Sequence, residues 1–499
     1  MAFLSVSYGL FLFIVLGIYW SVQEYWLRLW TVLIASLVFY ASLQVQYVPL
    51  LFVIIFMNFR LGLEMGAPPD WRASSNEDWQ FSQQDWNRHR LKLLYLGIAL
   101  NVFLLLGFKY IPFFLDTLGA SFNWMAAKSS ANWLDNNLIA PLALSFFCFE
   151  CIAYLIDVYR GAPATQEFLE FAAYKLFFPK LISGPITRYH PFIAQLKSPK
   201  LPTPDQVVEG LWLIACGAVK KGILADRLGI FVELCFTNLQ RAGSIDLWLA
   251  ILAYGLQIYL DFSGYVDIVR GSAMLLGFNL PENFDFPYFS TSIADFWRRW
   301  HITLGAWLRN YLYFPLGGSR RSLGRTCLNL LLVMVVAGIW HGAAWGFVIW
   351  GGLHGVALGI HRLTEVQSRQ FPWLKFLWQS PPGVLVAWLL TQLMVFVSWV
   401  FFRLANLKES GWVVQHLWGH SADVQFAQKV YIDSLGLEPL QLGLLLWMLV
   451  GCMVAIYVAS RGLKLQLNWP LKVLLVPICL FAVSLLAPKG GLPYIYFDF

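Results

Sequence analysis

Charge is what this sequence has least of. Only 13% of its 499 residues are charged, while 59% are apolar and 17% aromatic. Soluble domains carry about 25% charge, so this chain cannot cover a water-soluble body of its size. Lysine and arginine outnumber the acids, giving a formal charge of +7. No soluble basic domain exists to hold a nucleic acid, so no nucleic-acid partner is expected. The surplus fits the positive-inside bias of a membrane protein. Three catalytic signatures are also missing: Gly-x-x-x-x-Gly-Lys-Ser/Thr, His-Glu-x-x-His and Gly-x-Ser-x-Gly. Their absence removes support for an ATP-driven pump, an intramembrane metalloprotease and a serine hydrolase. The seven cysteines lie in or beside apolar runs. Cys148-x-x-Cys151 has the spacing of a redox or metal pair, but its surroundings are apolar and hold no other ligands. Small packing residues are expected there, with no metal and no bound cofactor.

Long apolar runs are what the chain does have. Trp30 to Leu43 continued by Tyr47 to Met57, Val384 to Phe402, Leu442 to Tyr457 and Val473 to Leu486 are examples. About 20 apolar residues span a bilayer as helix. These runs are continuous where a barrel strand would alternate, which predicts an all-α polytopic membrane protein with about 11 membrane segments, some re-entrant. The N-terminus lacks a basic region and a small-residue cleavage site, and reads as a first span. The polar stretch Ala67 to Lys92 reads as a cytoplasmic surface loop with an interfacial helix. Basic residues set the orientation. Arg28, the Arg88/Arg90/Lys92 cluster, the Arg320/Arg321/Arg325 connection, Arg362 with Arg369 and Lys375, and Arg461 with Lys464 and Lys472 are placed inside. Both termini then fall on the outer side. The segment Thr326 to Ile360 must leave and return, turning near Gly342 to Gly346.

Ionisable groups at membrane depth are costly and are functional candidates by default. His341 follows the uncharged run Asn329 to Ile339, about 24 Å along a helix from Arg325. Gly338 and Gly342 flank it at a spacing that lets another backbone approach. It reads as a neutral imidazole acting as general base, or as a histidine bonded across a helix interface. His301 ends the run Asp295-Phe-Trp-Arg-Arg-Trp-His301, where Asp295 is within helical reach of Arg298 and Arg299. This is either an interfacial helix with Trp anchors or a cationic, aromatic mouth for an anionic donor. His354 and His361, seven apart on one helical face, read as structural. So do His89, His190, His416 and His420. Asp261 and Asp267 are expected in a polar network, pairing with Arg270 or bonding Ser263.

Seven blocks keep a fixed order from about residue 140 to 355: Pro141-Leu-Ala-Leu-Ser-Phe-Phe147, Tyr154-Leu-Ile-Asp-Val-Tyr-Arg-Gly161, Phe178-Pro-Lys-Leu-Ile-Ser-Gly-Pro185, Tyr259-Leu-Asp-Phe-Ser-Gly-Tyr265, Asp295 to Ile302, Tyr313-Phe-Pro-Leu-Gly-Gly318 and Trp340-His-Gly342. Together they resemble the bacterial branch of the membrane-bound O-acyltransferase family, in particular its alginate O-acetylase type. The flanking spans resemble it only in hydropathy. The resemblance implies a single integral membrane domain, 1–499, around a core at 140–355, with a cytoplasmic funnel and a constricted tunnel. It implies a bacterial inner-membrane enzyme that takes an acyl group from cytoplasmic acetyl-CoA and delivers it to a cell-envelope polymer. His341 is then the central catalytic residue and His301 a second one. The ending Pro493-Tyr-Ile-Tyr-Phe-Asp-Phe499 resembles the aromatic tail of such enzymes or their small partners, with Tyr494 where phenylalanine is usual. The resemblance makes Tyr496 a candidate acyl carrier within the tail 490–499; the alternative is an interfacial anchor.

A mechanism follows as an expectation. The donor's phosphates lie near Arg298, Arg299, Arg320 or Arg321, and His341 takes a proton from the acceptor hydroxyl. A phenol, with pKa ~10, is a reasonable first acceptor. The acetyl group passes on directly or through a periplasmic acetyltransferase or polysaccharide-synthesis complex. Direct transfer to the polymer, transfer of D-alanyl or another acyl group, and a transporter or flippase using Asp261 and His341 remain open. The polymer is not identified: alginate, cellulose, peptidoglycan and other exopolysaccharides all fit.

Overall fold

The computed structural model describes residues 3–67, 76–137 and 140–495, with only the backbone described at 76–82. Among these residues all regular structure is helical, apart from one isolated bridge between Phe284 and Trp300. Seven stretches are long and apolar enough to cross a membrane: Tyr25–Gly66, Gln83–Ser121, Ser244–Leu275, Leu323–His341, Pro381–Arg403, Pro439–Gly462 and Trp469–Leu486. Large apolar side chains such as Phe13, Phe103, Trp447 and Phe481 are exposed along them and nearby helices. Water would penalise such a surface, whereas acyl chains cover it without cost. The chain is therefore a multi-pass membrane protein. The sequence predicts about 11 segments, some re-entrant, against these seven among the described residues. The N-terminal helix Val6–Ser21, read as a first span, has 16 residues and rises only ~24 Å against a ~30 Å hydrocarbon core.

Two compact units divide the chain. The first comprises Met1–Val207 with Ser272–Pro281, the second Val208–Gly271 with Glu282–Phe499. The first is built on α1 (Val6–Ser21), α2 (Tyr25–Gln44), α3 (Val48–Gly66), α4 (Asn76–Leu105), α5 (Ile111–Ser121), α6 (Met125–Asn137), α7 (Leu144–Tyr159), α8 (Phe168–Leu176) and α9 (Tyr189–Lys197). The described part of the polar stretch 67–92 is mostly the first half of α4. Its core centres on α7, where Cys148 and Cys151 are buried. Glu150, also on α7, is met by Lys175 Nζ at 3.0 Å and Lys180 Nζ at 2.6 Å. The Thr187 amide and hydroxyl each donate to it at 3.1 Å. A carboxylate can be buried on these terms because every neighbour donates to it.

The second unit opens within α10 (Pro204–Ala218), which widens into a π-turn at Val219–Ala225 and continues as α11 (Asp226–Thr237). Then come α12 (Ser244–Leu275), the short α13 (Ile293–Arg299) and α14 (Ile302–Leu308), α15 (Leu323–His341), α16 (Trp345–Gln370), α17 (Pro372–Gln379) and α18 (Pro381–Arg403). After α19 (Leu407–Gln415) and α20 (Val424–Phe426) it ends with α21 (Pro439–Tyr457) and α22 (Trp469–Leu486). Helix starts follow local chemistry: Ser292, Ser322, Ser380 and Asn468 each accept an amide of the first turn.

Candidate functional site

His341 is the last residue of α15, and Trp345 begins α16 after a three-residue break. The hairpin expected from the charge pattern is there. Its two arms pack backbone to backbone: a Cβ added to Gly338 would stand 2.2 Å from the Phe347 carbonyl oxygen, and one on Gly351 2.3 Å from that of Met334. Only glycine permits this approach. The seam fixes His341 among three rings, with centroids 4.8 Å away for Trp340, 5.2 Å for Trp350 and 5.0 Å for Phe402. Its relative exposure is 3%.

His301 lies at the joint between α13 and α14, with φ at +43°. A left-handed backbone is unfavourable for a residue with a Cβ and persists only where the surroundings impose it. Here the segment around Asn283 does so. The Asn283 carbonyl accepts the Ile302 amide at 3.0 Å, and its side-chain oxygen accepts the Thr303 amide at 3.0 Å and hydroxyl at 2.8 Å. The Arg299 carbonyl accepts the Asp285 amide at 3.0 Å. The imposed turn drives the His301 ring inward, against Phe262 at 4.9 Å and toward Trp340 at 6.5 Å. Trp340 is thus a ring neighbour of both histidines. His301 lies outside the candidate spans, and burial pushes its imidazole down to about 3, so it is neutral at physiological pH.

The other buried histidine of the unit is satisfied. His354 Nδ1 accepts the Trp297 indole N–H at 3.3 Å, and its Nε2 lies 3.0 Å from the Ser398 hydroxyl. That network occupies both ring nitrogens of His354.

The four arginines fall into two groups. Asp295 holds Arg298 at 3.5 Å and Arg299 at 3.0 Å, the helical pairing read from the spacing. Arg298 keeps 68% of its side chain exposed, Arg299 26%. Arg320 and Arg321 are exposed on the turn before α15. Asn329 ties that turn to the helix by donating to the Leu316 and Gly318 carbonyls, each at 3.2 Å. These two cations therefore stand at the opposite end of α15 from His341.

The polar network of α12 has other partners than expected. Arg270 pairs with Glu282 at 3.0 Å, not with either aspartate. Asp267 binds Lys220 and Asp261 binds Lys221, each at 2.6 Å. The cause is a close helix crossing. A Cβ on Gly217 would stand 2.4 Å from the Gly264 carbonyl oxygen, and this approach delivers the two lysines of the π-turn to the two aspartates of α12. Lys221 also reaches the end of the described chain, donating to the Pro493 carbonyl at 3.0 Å. Leu492, Pro493 and Ile495 line a cavity of ≈290 Å³ together with Phe347 and Phe402. Phe402 is one of the rings against His341. Tyr496 lies outside the described residues.

Sequence reading missed Lys221, Asp226 and the Glu150–Lys175–Lys180 cluster. A signal existed for Lys221 and for the cluster: paired lysines at 220–221 and an acid at 150 stand within apolar runs, where ionisable groups need a reason.

Residues 94–402 match the membrane-bound O-acyltransferase family, a wider stretch than the seven blocks alone. A probable alginate O-acetylase of Pseudomonas syringae pv. tomato is 37% identical over 82% of this chain and 73% of its own length. A peptidoglycan O-acetyltransferase of Helicobacter pylori is 37% identical, covering 77% of this chain and 72% of its own. A teichoic acid D-alanyltransferase of Bacillus subtilis is 27% identical over 48% of this chain and 63% of its own.

Proposed function

Since the chain belongs to the membrane-bound O-acyltransferase family, we propose that it moves an acetyl group from cytoplasmic acetyl-CoA across the bacterial inner membrane for O-acetylation of a cell-envelope polysaccharide. The two more similar relatives named above are O-acetylases of alginate and peptidoglycan, which supports acetyl over D-alanyl. The observation that carries the reading is the placement of His341. It is buried in an aromatic shell, one wall of which, Phe402, also bounds a cavity beside the C-terminal tail.

The chemistry assigned is acyl transfer. The acceptor hydroxyl oxygen attacks the thioester carbonyl while His341 takes its proton. The C–S bond breaks, and the sulfur leaves as CoA thiolate, which takes up that proton. His301, neutral and fixed by its turn, orients the donor or assists the proton transfer. Arg298, Arg299, Arg320 and Arg321 hold the donor's phosphates at the cytoplasmic end. Tyr496 is the first acceptor: its phenol ionises far more readily than a sugar alcohol. Its acetyl ester then passes the group to a sugar hydroxyl and regenerates the phenol, through a periplasmic acetyltransferase or polysaccharide-synthesis complex. The tail lies on the outer side, as the distribution of basic residues supports.

The test uses purified protein and labelled acetyl-CoA. Wild type releases CoA and His341→Ala does not. Equal inertness of both, with partners present, rules the reading out. Mass spectrometry of the C-terminal peptide tests the relay. An acetyl group never found on Tyr496, with Tyr496→Phe still active in polymer acetylation, eliminates the tyrosine step and leaves direct transfer.

A further inference from the structure

Lys220 and Lys221 are neighbours on the same π-turn, yet they are used differently. Lys220 makes an ordinary pair with one aspartate. Lys221 is buried, and its Nζ sits among two carboxylates and the chain end: Asp261 Oδ1 at 2.6 Å, Asp226 Oδ1 at 2.8 Å and the Pro493 carbonyl at 3.0 Å. The ammonium also stands 4.6 Å over the Tyr494 ring. One cation against two buried acids leaves an excess of negative charge, which is costly to bury unless further donors reach it. The tail supplies one. The Ile495 amide donates to Asp261 Oδ2 at 3.0 Å. Tyr494 is buried against Tyr265, ring centroids 5.3 Å apart. Leu492 packs where Gly229 has no side chain: a Cβ there would meet its Cδ1 at 2.4 Å.

The trio is thus complementary to backbone. It offers an ammonium to the Pro493 carbonyl and a carboxylate to the Ile495 amide, with the ammonium under the Tyr494 ring. Without the tail, Asp261 would lose its amide donor and Lys221 its carbonyl.

We propose that Lys221, Asp226 and Asp261 form a seat for the backbone of residues 492–495 and that Lys221 is a positioning residue for acyl transfer, holding the tail at the cavity it shares with Phe402. The second half rests on the acyltransferase reading above; the seat itself does not.

Two variants test it from opposite sides. Lys221→Met keeps the bulk of the stem and removes the charge. Ile495→Pro deletes the amide that Asp261 accepts and leaves the helices untouched. Hydrogen–deuterium exchange of the purified full chain in detergent is followed in a peptide covering 487–495 and in one from α15–α16. Acetyl-CoA turnover is measured alongside. Both variants are expected to speed exchange of the tail peptide at least about tenfold, with the α15–α16 peptide unchanged. The kcat is expected to fall at least about tenfold, with KM for acetyl-CoA within about twofold. Wild-type protection of the tail in both variants overturns the seat. Faster tail exchange with unchanged kcat overturns the positioning role. If wild type releases no CoA, the acyltransferase reading fails and with it the positioning role, while the exchange result still decides the seat. Should Lys221→Met not fold, Ile495→Pro decides alone.

Discussion

Trp297 donates its indole N–H to Nδ1 of His354 at 3.3 Å, and this contact fixes which proton His354 carries. With Nδ1 accepting, the proton sits on Nε2 and points at the Ser398 hydroxyl, which itself donates to the Val395 carbonyl at 2.7 Å. Every polar atom in the chain of contacts is used. His354→Ala should therefore act on stability, costing about 2–4 kcal/mol through unsatisfied partners and a cavity. Thermal unfolding in detergent would show this, with acetyl-CoA turnover of the folded fraction within about threefold of wild type.

His341 should behave in the opposite way. Its ring fills an aromatic shell, and Gln or Asn preserves much of the volume. His341→Gln is expected to lower acyl transfer by about 10²–10⁴-fold, the usual range for a lost general base. Its melting temperature should stay close to that of wild type. Paired measurements of CoA release and thermal unfolding on the two histidine variants separate the roles.

The glycine seam gives a third expectation. A Cβ on Gly351 would sit 2.3 Å from the Met334 carbonyl oxygen, against backbone that cannot rotate away. Gly351→Ala should cost about 1–3 kcal/mol and Gly351→Val more. Activity should fall with it, because the same seam orients His341. Gly352, where an added Cβ meets nothing within 4 Å, is the control, and Gly352→Ala should be tolerated in both assays.

Removing Glu150 would leave Lys175 and Lys180 buried without their counter-charge. Glu150→Ala is expected to destabilise by about 3–5 kcal/mol. Replacing all three by apolar residues of similar volume should recover much of that loss, since the cost lies in the stranded charges. Chemical denaturation or detergent melting of the single and triple variants checks this.

His301 carries a sign for pH. Burial holds its folded pKa at about 3, below the ordinary imidazole value near 6.5. As pH falls below about 6.5 the unfolded state takes up a proton that the folded state refuses until pH nears 3. The neutral histidine therefore contributes fully above that window and is lost through it, at up to about 1.4 kcal/mol per pH unit. His301→Gln should melt with a weaker dependence on pH between 6.5 and 4 than wild type.

The sequence made the membrane class, the α15–α16 hairpin and the Asp295–Arg299 pairing legible, because each depends on neighbours along the chain: apolar length, basic loops and helical spacing. The left-handed turn at His301 was not legible. It is imposed by Asn283, 18 positions earlier, and nothing in Trp300-His301-Ile302 announces it. The partners of Asp261 and Asp267 were hidden for a similar reason. Arg270 is the close neighbour along the helix, but the glycine crossing at Gly217 and Gly264 brings the lysines of the π-turn nearer. Patterns of one helix cannot report where another crosses it.

The rings around His341 bear on how a bilayer survives such an enzyme. Trp340, Trp350 and Phe402 have ring centroids 4.8, 5.2 and 5.0 Å from that of the imidazole, an apolar lining that does not favour a column of water. Protons cross membranes along such columns. On the acyltransferase reading proposed above, an apolar lining of this kind favours passage of a small organic group over a water-borne proton leak.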